Sequence, residues 1–286
     1  MHSVGIVLSF DSNMFQQGIN SILSIKKYCT HPNYKINVLA IDLKNEEMIW
    51  LSNNGVNFVT NYQDLPSHPE QKKYNYSQTC RAFLPEIFPG FDIYMWVDAD
   101  IRFLNSQGLD YFCNIPMQNT DSIAIVHEAE SDYGFVKNIY LTYNYHTLKN
   151  ERIAKVYGVD AEKTIRYFYY YNNGIWSMHK NSKIWSQFKL AILHYLKQNY
   201  FHHMFDQEAM NMAILGLRIP VIYTPSTMNW LFGAALPLRD NLSNNWITPS
   251  EPHRQISVAH LIMSNAYADQ KNKLTWYDLY KKMGIE

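Results

Sequence analysis

The segment Ile93-Tyr94-Met95-Trp96-Val97-Asp98-Ala99-Asp100 decides the fold, because an apolar run ends abruptly in two carboxylates. A short run of large apolar side chains predicts a buried strand, and ligands of open α/β sheets bind beyond the carboxyl ends of such strands. There Asp98 and Asp100 would repel each other unless a cation or a shared proton neutralised them. Their oxygens suit Mg²⁺ or Mn²⁺. The alternative is an ordinary turn with two solvated carboxylates, since Asp-x-Asp also occurs by chance.

Upstream of this strand, apolar runs alternate with segments of helical periodicity. The predicted strands are Val4–Phe10, Ile36–Ile41 and Val56–Val59. The predicted helices are Gln17–Tyr28, Asn45–Ser52 and Ser77–Phe88, the last interrupted at Pro85. Strand–helix–strand order with apolar strands predicts a parallel sheet that is covered by helices on both faces.

Downstream, the pattern is less regular. Strands are predicted at Ile123–Val126, Gly174–Met178, Ile219–Tyr223 and Val258–Leu261, and helices at Ser182–Tyr200, Asp206–Leu215 and Leu274–Met283. The Tyr-rich region Tyr133–Tyr171 indicates inserted helices and loops, whose aromatic residues we expect in the core rather than against an acceptor sugar. No linker divides the chain, which favours one domain.

Composition excludes several classes of protein. The 286 residues carry 25 Lys+Arg and 25 Asp+Glu, so binding of nucleic acid through phosphate neutralisation is not expected. An aromatic content of 15% excludes a disordered chain. Three cysteines without CxxC spacing favour a reducing compartment, and we expect a cytoplasmic protein. No apolar run is long enough to span a membrane, and the start does not read as a signal peptide.

The run Arg81-Ala82-Phe83-Leu84-Pro85-Glu86-Ile87-Phe88-Pro89, followed by the strand and Asp-Ala-Asp, resembles glycosyltransferase family 8. Other segments match this family in order: Leu8-Ser9-Phe10-Asp11 with Phe15, Asn172-Asn173-Gly174-Ile175, Asp206-Gln207-Glu208-Ala209-Met210-Asn211, and His260-Leu261. The resemblance covers about residues 4–262. It implies a GT-A fold, an α/β architecture with a mixed Rossmann-like sheet flanked by helices. It also implies transfer from a UDP-sugar, with Mn²⁺ and with retention at the anomeric carbon.

The resemblance also implies roles for individual residues. The metal ligands would be Asp98, Asp100 and His260, and Asp206 and Gln207 would be catalytic and face the donor sugar. Donor-binding residues would be Ser9, Phe10, Asp11, Phe15, Arg81, Asp98, Ala99, Asn173 and Gly174. Gln207 or a nearby carbonyl would stabilise positive charge at the anomeric carbon.

Each of these residues also has an ordinary structural interpretation. Asp11 and Asp206 would cap the helices that follow them. Arg81 would lie on a solvated helix face, Asn173 would be a turn residue, and His260 would be one of 11 histidines without a special role. A separate hypothesis, a metal site formed by His202, His203 and Asp206, lacks a third partner and a Glu base.

The C-terminal segment departs from the family. The Gly and Lys that usually follow the late His are absent at that spacing, and Lys271 or Lys273, before Trp276, would replace them. The tail mixes aromatic residues with Lys281 and Lys282. An ordinary terminal helix is favoured, and peripheral contact with the inner face of a membrane is the alternative.

The sequence thus predicts a single GT-A domain over 1–286. Residues 1–105 would form the nucleotide-binding half, 106–262 the donor-sugar and acceptor half, and 263–286 the tail. The protein would transfer a hexose from a UDP-sugar to a hydroxyl of a glycan, lipid-linked or protein acceptor. The reaction would use Mn²⁺, with Mg²⁺ as the alternative. The rivals are an inverting GT-A enzyme with Asp206 or Glu208 as base, and an inactive sugar- or nucleotide-binding protein on the same fold. A nucleotidyltransferase is disfavoured, because the first loop has neither Gly nor Lys.

Overall fold

One large mixed sheet organises the molecule. The computed structural model describes residues 2–216 and 218–261. Its strands are β1 (Val4–Asp11), β2 (Tyr34–Ile41), β3 (Asn57–Val59), β4 (Ile93–Val97), β5 (Ile101–Phe103), β6 (Ile123–His127), β7 (Tyr171–His179), β8 (Val221–Thr224), β9 (Trp230–Leu231), β10 (Leu238–Arg239), β11 (Trp246–Ile247) and β12 (Val258–His260). The large sheet has the order β3-β2-β1-β4-β7-β6-β8. Within it β7 pairs antiparallel with β4 and β6, while the other pairs are parallel. The predicted mixed α/β sheet in a single domain is confirmed.

Helices cover both faces of this sheet. They are α1 (Phe15–Tyr28), α2 (Asn45–Asn53), α3 (Tyr76–Thr79), α4 (Leu84–Ile87), α5 (Ser106–Asn114), α6 (Gly134–Lys137), α7 (Ile139–Tyr157), α8 (Val159–Ile165), α9 (Ile184–Leu196) and α10 (Phe205–Asn211). No helix in the described part of the chain is long and apolar enough to cross a membrane.

Side-chain alternation along the strands separates two cores. Trp96 and Trp176 face one side of the sheet, where they pack with Phe188 of α9 and Phe205 at the start of α10. Met95 and Val97 face the other side, where they pack with residues of α1 and α5 such as Ile22 and Phe112. Because these strands are buried on both faces, nearly all of their residues are apolar, and the sequence therefore predicted them well.

A second, three-stranded sheet has the order β5-β12-β9. The strand β5 begins directly after Asp100 and pairs antiparallel with β12, so that His260 lies opposite Ile101. This pairing brings a residue from the end of the described chain to the carboxyl end of β4.

Two predicted helices differ from the structure, and a third is not tested by it. The helix predicted over Ser77–Phe88 is divided into α3, a 3-10 turn over Cys80–Phe83, and α4, so the break precedes Pro85. The proline lies in the first turn of α4, where its missing N–H costs no hydrogen bond. The helix predicted from Asp206 begins at Phe205 and is followed by a π-helix over Met212–Gly216. The predicted helix Leu274–Met283 and the tail 263–286 lie outside the described residues.

Candidate functional site

Two carboxylates and one imidazole converge beyond the carboxyl end of β4. One ligand atom each of Asp98, Asp100 and His260 lies within 4.8 Å of the other two. Nε2 of His260 is 3.4 Å from Oδ1 of Asp100 and 3.9 Å from Oδ2 of Asp98. Across the described residues, no other group of three His, Cys, Asp or Glu side chains has such geometry. The three ligands predicted from the sequence therefore meet at one point.

The imidazole of His260 is held so that Nε2 faces the carboxylates. Its Nδ1 is 3.1 Å from Oδ1 of Asn229, whose Nδ2 donates to Oδ1 of Asn172 at 2.9 Å. That donation fixes the orientation of the Asn229 amide, so Nδ1 of His260 is the donor and Nε2 carries the lone pair when the ring is neutral. Gly174 leaves the room for this ring, since a Cβ there would collide with Cε1 of His260.

The electrostatics of the cluster favour a positive partner. Burial raises the pKa of Asp98 to about 6, although Arg81 opposes the shift. Burial also acts on Asp100, but the charge of His260 and its hydrogen bond outweigh it and lower the Asp100 pKa. For His260, burial acts to lower the pKa, but the attraction and hydrogen bond of Asp100, together with the charge of Asp98, outweigh it and raise the pKa. The cluster thus retains protons that a divalent cation can displace.

Arg81 is buried between two carboxylates instead of lying on a solvated helix face. Its Nη2 is 2.6 Å from Oδ1 of Asp98, and its Nη1 is 2.6 Å from Oδ2 of Asp206. The guanidinium also stacks 4.6 Å from the Trp96 ring. The solvated-face interpretation is therefore wrong. The guanidinium can be buried because each of its terminal nitrogens donates to a carboxylate, which compensates its charge.

Asp206 does not cap its helix. It is the second residue of α10, whose N-cap position is Met204. Its Oδ2 also accepts a hydrogen bond from Nδ2 of Asn173 at 2.9 Å. Asn173 is 2% exposed, and its Oδ1 has no partner among the described residues. A buried acceptor without a partner calls for an explanation, and a hydroxyl of a bound ligand is one candidate donor.

A pocket of about 390 Å³ opens beside the carboxylates. It is lined by Ser9, Phe10, Asp11, Asn13, Met14, Tyr74, Ser77, Arg81, Asp98, Ala99 and Asp100. Most of the predicted donor-binding residues thus surround one cavity. Asp11 also accepts from the Met14 backbone N–H at 3.1 Å, so it caps the short 3-10 turn Ser12–Met14 that precedes α1 rather than α1 itself.

Some residues do not match the expectation for this pocket. Three predicted donor-binding residues are not part of the lining: Phe15, Asn173 and Gly174. Phe15 instead packs edge-on against Trp50 at 6.1 Å. Sequence reasoning missed Asn13, Met14, Tyr74 and Ser77. Asn13 and Met14 lie two and three residues after Asp11, and this proximity to a predicted binding residue was the available signal. Tyr74 and Ser77 lie in no recognisable motif.

The remaining predicted catalytic residue, Gln207, is 5% exposed on α10. Its Nε2 donates to Oε1 of Glu128 at 3.1 Å, a residue that no motif indicated. The alternative metal site with His202 and His203 is not assembled, because the Asp206 carboxylate is bound to Arg81 and Asn173. The nearest acid to His202 is Glu208, at 3.8 Å.

No protein-family model matches the sequence, and no curated protein matches it either. Solved structures do match. The bifunctional glycosyltransferase WbbM is 18% identical with a TM-score of 0.57, over 81% of this chain and 40% of its own. The galactosyltransferase LgtC, solved with donor and acceptor sugar analogues, is 15% identical with a TM-score of 0.55, over 90% of this chain and 86% of its own. Mouse xyloside xylosyltransferase 1 is 11% identical with a TM-score of 0.54, over 92% and 98%.

These similarities concern the fold. The chain shares the GT-A architecture of the three glycosyltransferases, as the sequence predicts. It spans only 40% of the length of WbbM.

Proposed function

We propose that the protein is a metal-dependent, retaining glycosyltransferase that moves a hexose from a UDP-sugar to an acceptor hydroxyl. The observation that carries this proposal is the cluster of Asp98, Asp100 and His260 at the rim of the 390 Å³ pocket. That pocket lies at the carboxyl edge of the sheet, where open α/β folds bind ligands, in a fold that known glycosyltransferases share.

The residues of the cluster fit a divalent cation. Two carboxylates and one imidazole suit Mn²⁺, with Mg²⁺ as the alternative. The missing Cβ of Gly174 and the orientation of His260 Nε2 support the same conclusion. Bound there, the cation would offset the negative charge of the diphosphate leaving group.

The chain's own side chains would bind and orient the donor. Ser9, Phe10 and Asp11 line the pocket and would receive the nucleobase. Asn173 lies outside this lining, and its buried Oδ1, which has no partner among the described residues, would accept a hydrogen bond from a sugar hydroxyl. The amide oxygen of Gln207 would stabilise positive charge that develops at the anomeric carbon. Arg81 would act indirectly, by holding Asp98 and Asp206 in place.

Retention is favoured over inversion by the state of the two candidate bases. Asp206 is bound to Arg81, and Glu208 is bound to Arg152. A carboxylate that already accepts from an arginine is not free to take a proton from an acceptor hydroxyl. In a retaining reaction the departing phosphate oxygen would take the acceptor proton on the same face.

A second candidate is a binding protein that has the fold without turnover. The absence of the usual Gly and Lys after His260 favours it, and the substitutes Lys271 and Lys273 lie outside the described residues. For the enzyme, we propose a cytoplasmic location and a glycan, lipid-linked or protein acceptor. Peripheral contact of the tail with the inner face of a membrane stays the alternative to an ordinary terminal helix.

Calorimetric titration of UDP with and without Mn²⁺ tests the donor site. We expect Mn²⁺-dependent binding that is lost in Asp100→Ala and kept in Asp160→Ala, whose side chain is 98% exposed. Hydrolysis of UDP-glucose, UDP-galactose and UDP-N-acetylglucosamine then separates an enzyme from a binding protein. If UDP fails to bind with either Mn²⁺ or Mg²⁺, the proposed donor is wrong.

A further inference from the structure

A buried carboxylate lies behind the predicted catalytic amide. Glu128 follows β6, is 5% exposed, and its Oε1 accepts from Nε2 of Gln207 at 3.1 Å and from Nδ2 of Asn172 at 3.2 Å. Its Oε2 is 2.7 Å from Nζ of Lys149, which is 4% exposed on α7. Glu128 thus joins α10, β7 and α7 in the interior of the protein.

The chemistry of Glu128 dictates how Gln207 is oriented. The proton that Glu128 and Lys149 can exchange lies between Oε2 and Nζ, so Oε1 is an acceptor whether or not the pair is ionised. Gln207 must therefore present its NH₂ group to Glu128. Because the amide is planar, the oxygen of Gln207 points away from Glu128.

The same oxygen also orients the metal ligand through two amides. Asn172 donates Nδ2 to Glu128, so its Oδ1 is free to accept from the Gly174 backbone N–H and from Nδ2 of Asn229, both at 2.9 Å. Asn229 in turn presents Oδ1 to Nδ1 of His260 at 3.1 Å. If the Asn172 amide were reversed, its oxygen would face the oxygen of Glu128, and its NH₂ group would face the donors of Gly174 and Asn229.

We propose that Glu128 is a positioning residue that orients Gln207 with its amide oxygen toward the donor and, through Asn172 and Asn229, holds His260 with Nε2 free for a metal. This inference rests on the proposed function for the role of Gln207. It also gives a role to the inserted region 133–171, because Lys149 of α7 is the partner that holds Glu128 in the interior.

The test compares Glu128→Gln with the double variant E128Q/K149M and with Glu162→Gln. The first keeps the shape but can turn either end of its amide to Gln207. The double variant also replaces Lys149, which in Glu128→Gln is buried without an acidic partner. Glu162 is a control, since it is 9% exposed and paired with Arg166 at 2.5 Å on α8, away from the cluster.

In Glu128→Gln we expect kcat for UDP-sugar hydrolysis to fall at least about tenfold, while the donor KM changes less than about threefold. The Mn²⁺ affinity of the same variant should fall about tenfold. The double variant should regain thermal stability but not kcat, whereas Glu162→Gln should keep kcat. Recovery of kcat together with stability in the double variant would reduce Glu128 to a structural role and overturn the proposal.

A readout that needs no turnover separates this inference from the proposed function. In metal-free protein at a pH where His260 is neutral, ¹⁵N spectra should show the Nδ1–H tautomer, and Glu128→Gln should shift it toward a mixture. An unchanged tautomer would contradict the proposal. If the wild-type protein binds no UDP and Glu128→Gln nevertheless shifts the tautomer, the proposed function is wrong and the positioning of His260 by Glu128 stands.

Discussion

Arg81 shows how burial changes the role of a single residue. From sequence, a donor contact or a solvated position were the two interpretations, yet both forks of the guanidinium are taken by Asp98 and Asp206. Removing one partner of a buried ion pair costs about 3–5 kcal/mol, because a charge is left without compensation. Its importance to this structure therefore comes from holding two acids together.

Replacing Arg81 by lysine tests this role. A lysine has one charged nitrogen and cannot reach both carboxylates as the fork does. We expect Arg81→Lys to lower the free energy of unfolding by about 3 kcal/mol in urea denaturation. The control Arg254→Lys alters an ion pair whose arginine side chain is 41% exposed, and should cost less than about 1 kcal/mol. Equal losses in both variants would contradict the assignment.

Gly174 gives a prediction about space. Alanine fits the backbone there, because Gly174 is not among the residues with positive φ, but its Cβ would collide with the His260 ring. We expect Gly174→Ala to displace the imidazole and weaken Mn²⁺ binding at least about tenfold by calorimetry. Gly216→Ala is the control, since its Cβ would meet only the flexible end of Met212, at 3.1 Å. Unchanged affinity in Gly174→Ala would show that His260 is not a ligand.

The raised pKa of Asp98 predicts how metal binding depends on pH. Burial raises the pKa of Asp98 to about 6. Below pH 6 the carboxyl is therefore mostly protonated, and the proton competes with the cation. Between pH 7 and pH 5 the ionised fraction falls about tenfold, and the apparent Mn²⁺ affinity should fall by at least that factor. Protonation of His260 adds to the loss, because its pKa is also raised. Titrations that show constant affinity over this range would exclude Asp98 as a ligand.

At the scale of elements, strands were predicted better than helix ends. The limits of β4 match the prediction, because both faces of this strand are buried and its apolar run stops where burial stops. The start of α10 differs by one residue, which was enough to make Asp206 look like a cap. Helix ends depend on local hydrogen bonds that apolar periodicity does not report.

The turn between β4 and β5 depends on a buried arginine. Arg102 is 3% exposed, and its Nη1 donates to the carbonyls of Ala99 at 3.0 Å and Ile101 at 2.8 Å. These bonds fix the backbone on both sides of Asp100. We expect Arg102→Met, which keeps the length of the side chain, to reduce Mn²⁺ affinity about tenfold. Circular dichroism should remain that of the wild type, and undiminished affinity would mean that β5 alone positions Asp100.

At the scale of the molecule, the candidate site draws on distant parts of the chain. The order of motifs was enough to predict that Asp98, Asp100 and His260 belong together. The pairing that joins them could not be predicted, because β5 and β12 have three residues each and their register follows from packing. Glu128 and Lys149 were missed for the same reason: their partners are defined only after the sheet and α7 have assembled.

This assembly predicts how the protein unfolds. The pocket is lined by the predicted half 1–105, while Asn173, Asp206 and His260 come from the half 106–262, so neither half holds the site alone. We expect one calorimetric unfolding transition. At a ligand concentration of 100 times Kd, UDP with Mn²⁺ should stabilise the folded state by about 2.7 kcal/mol and raise Tm by about 5 °C. Asp100→Ala should keep the single transition and lose the shift. Two transitions, of which only one moves with UDP and Mn²⁺, would mean that the halves fold separately and that the site belongs to one of them.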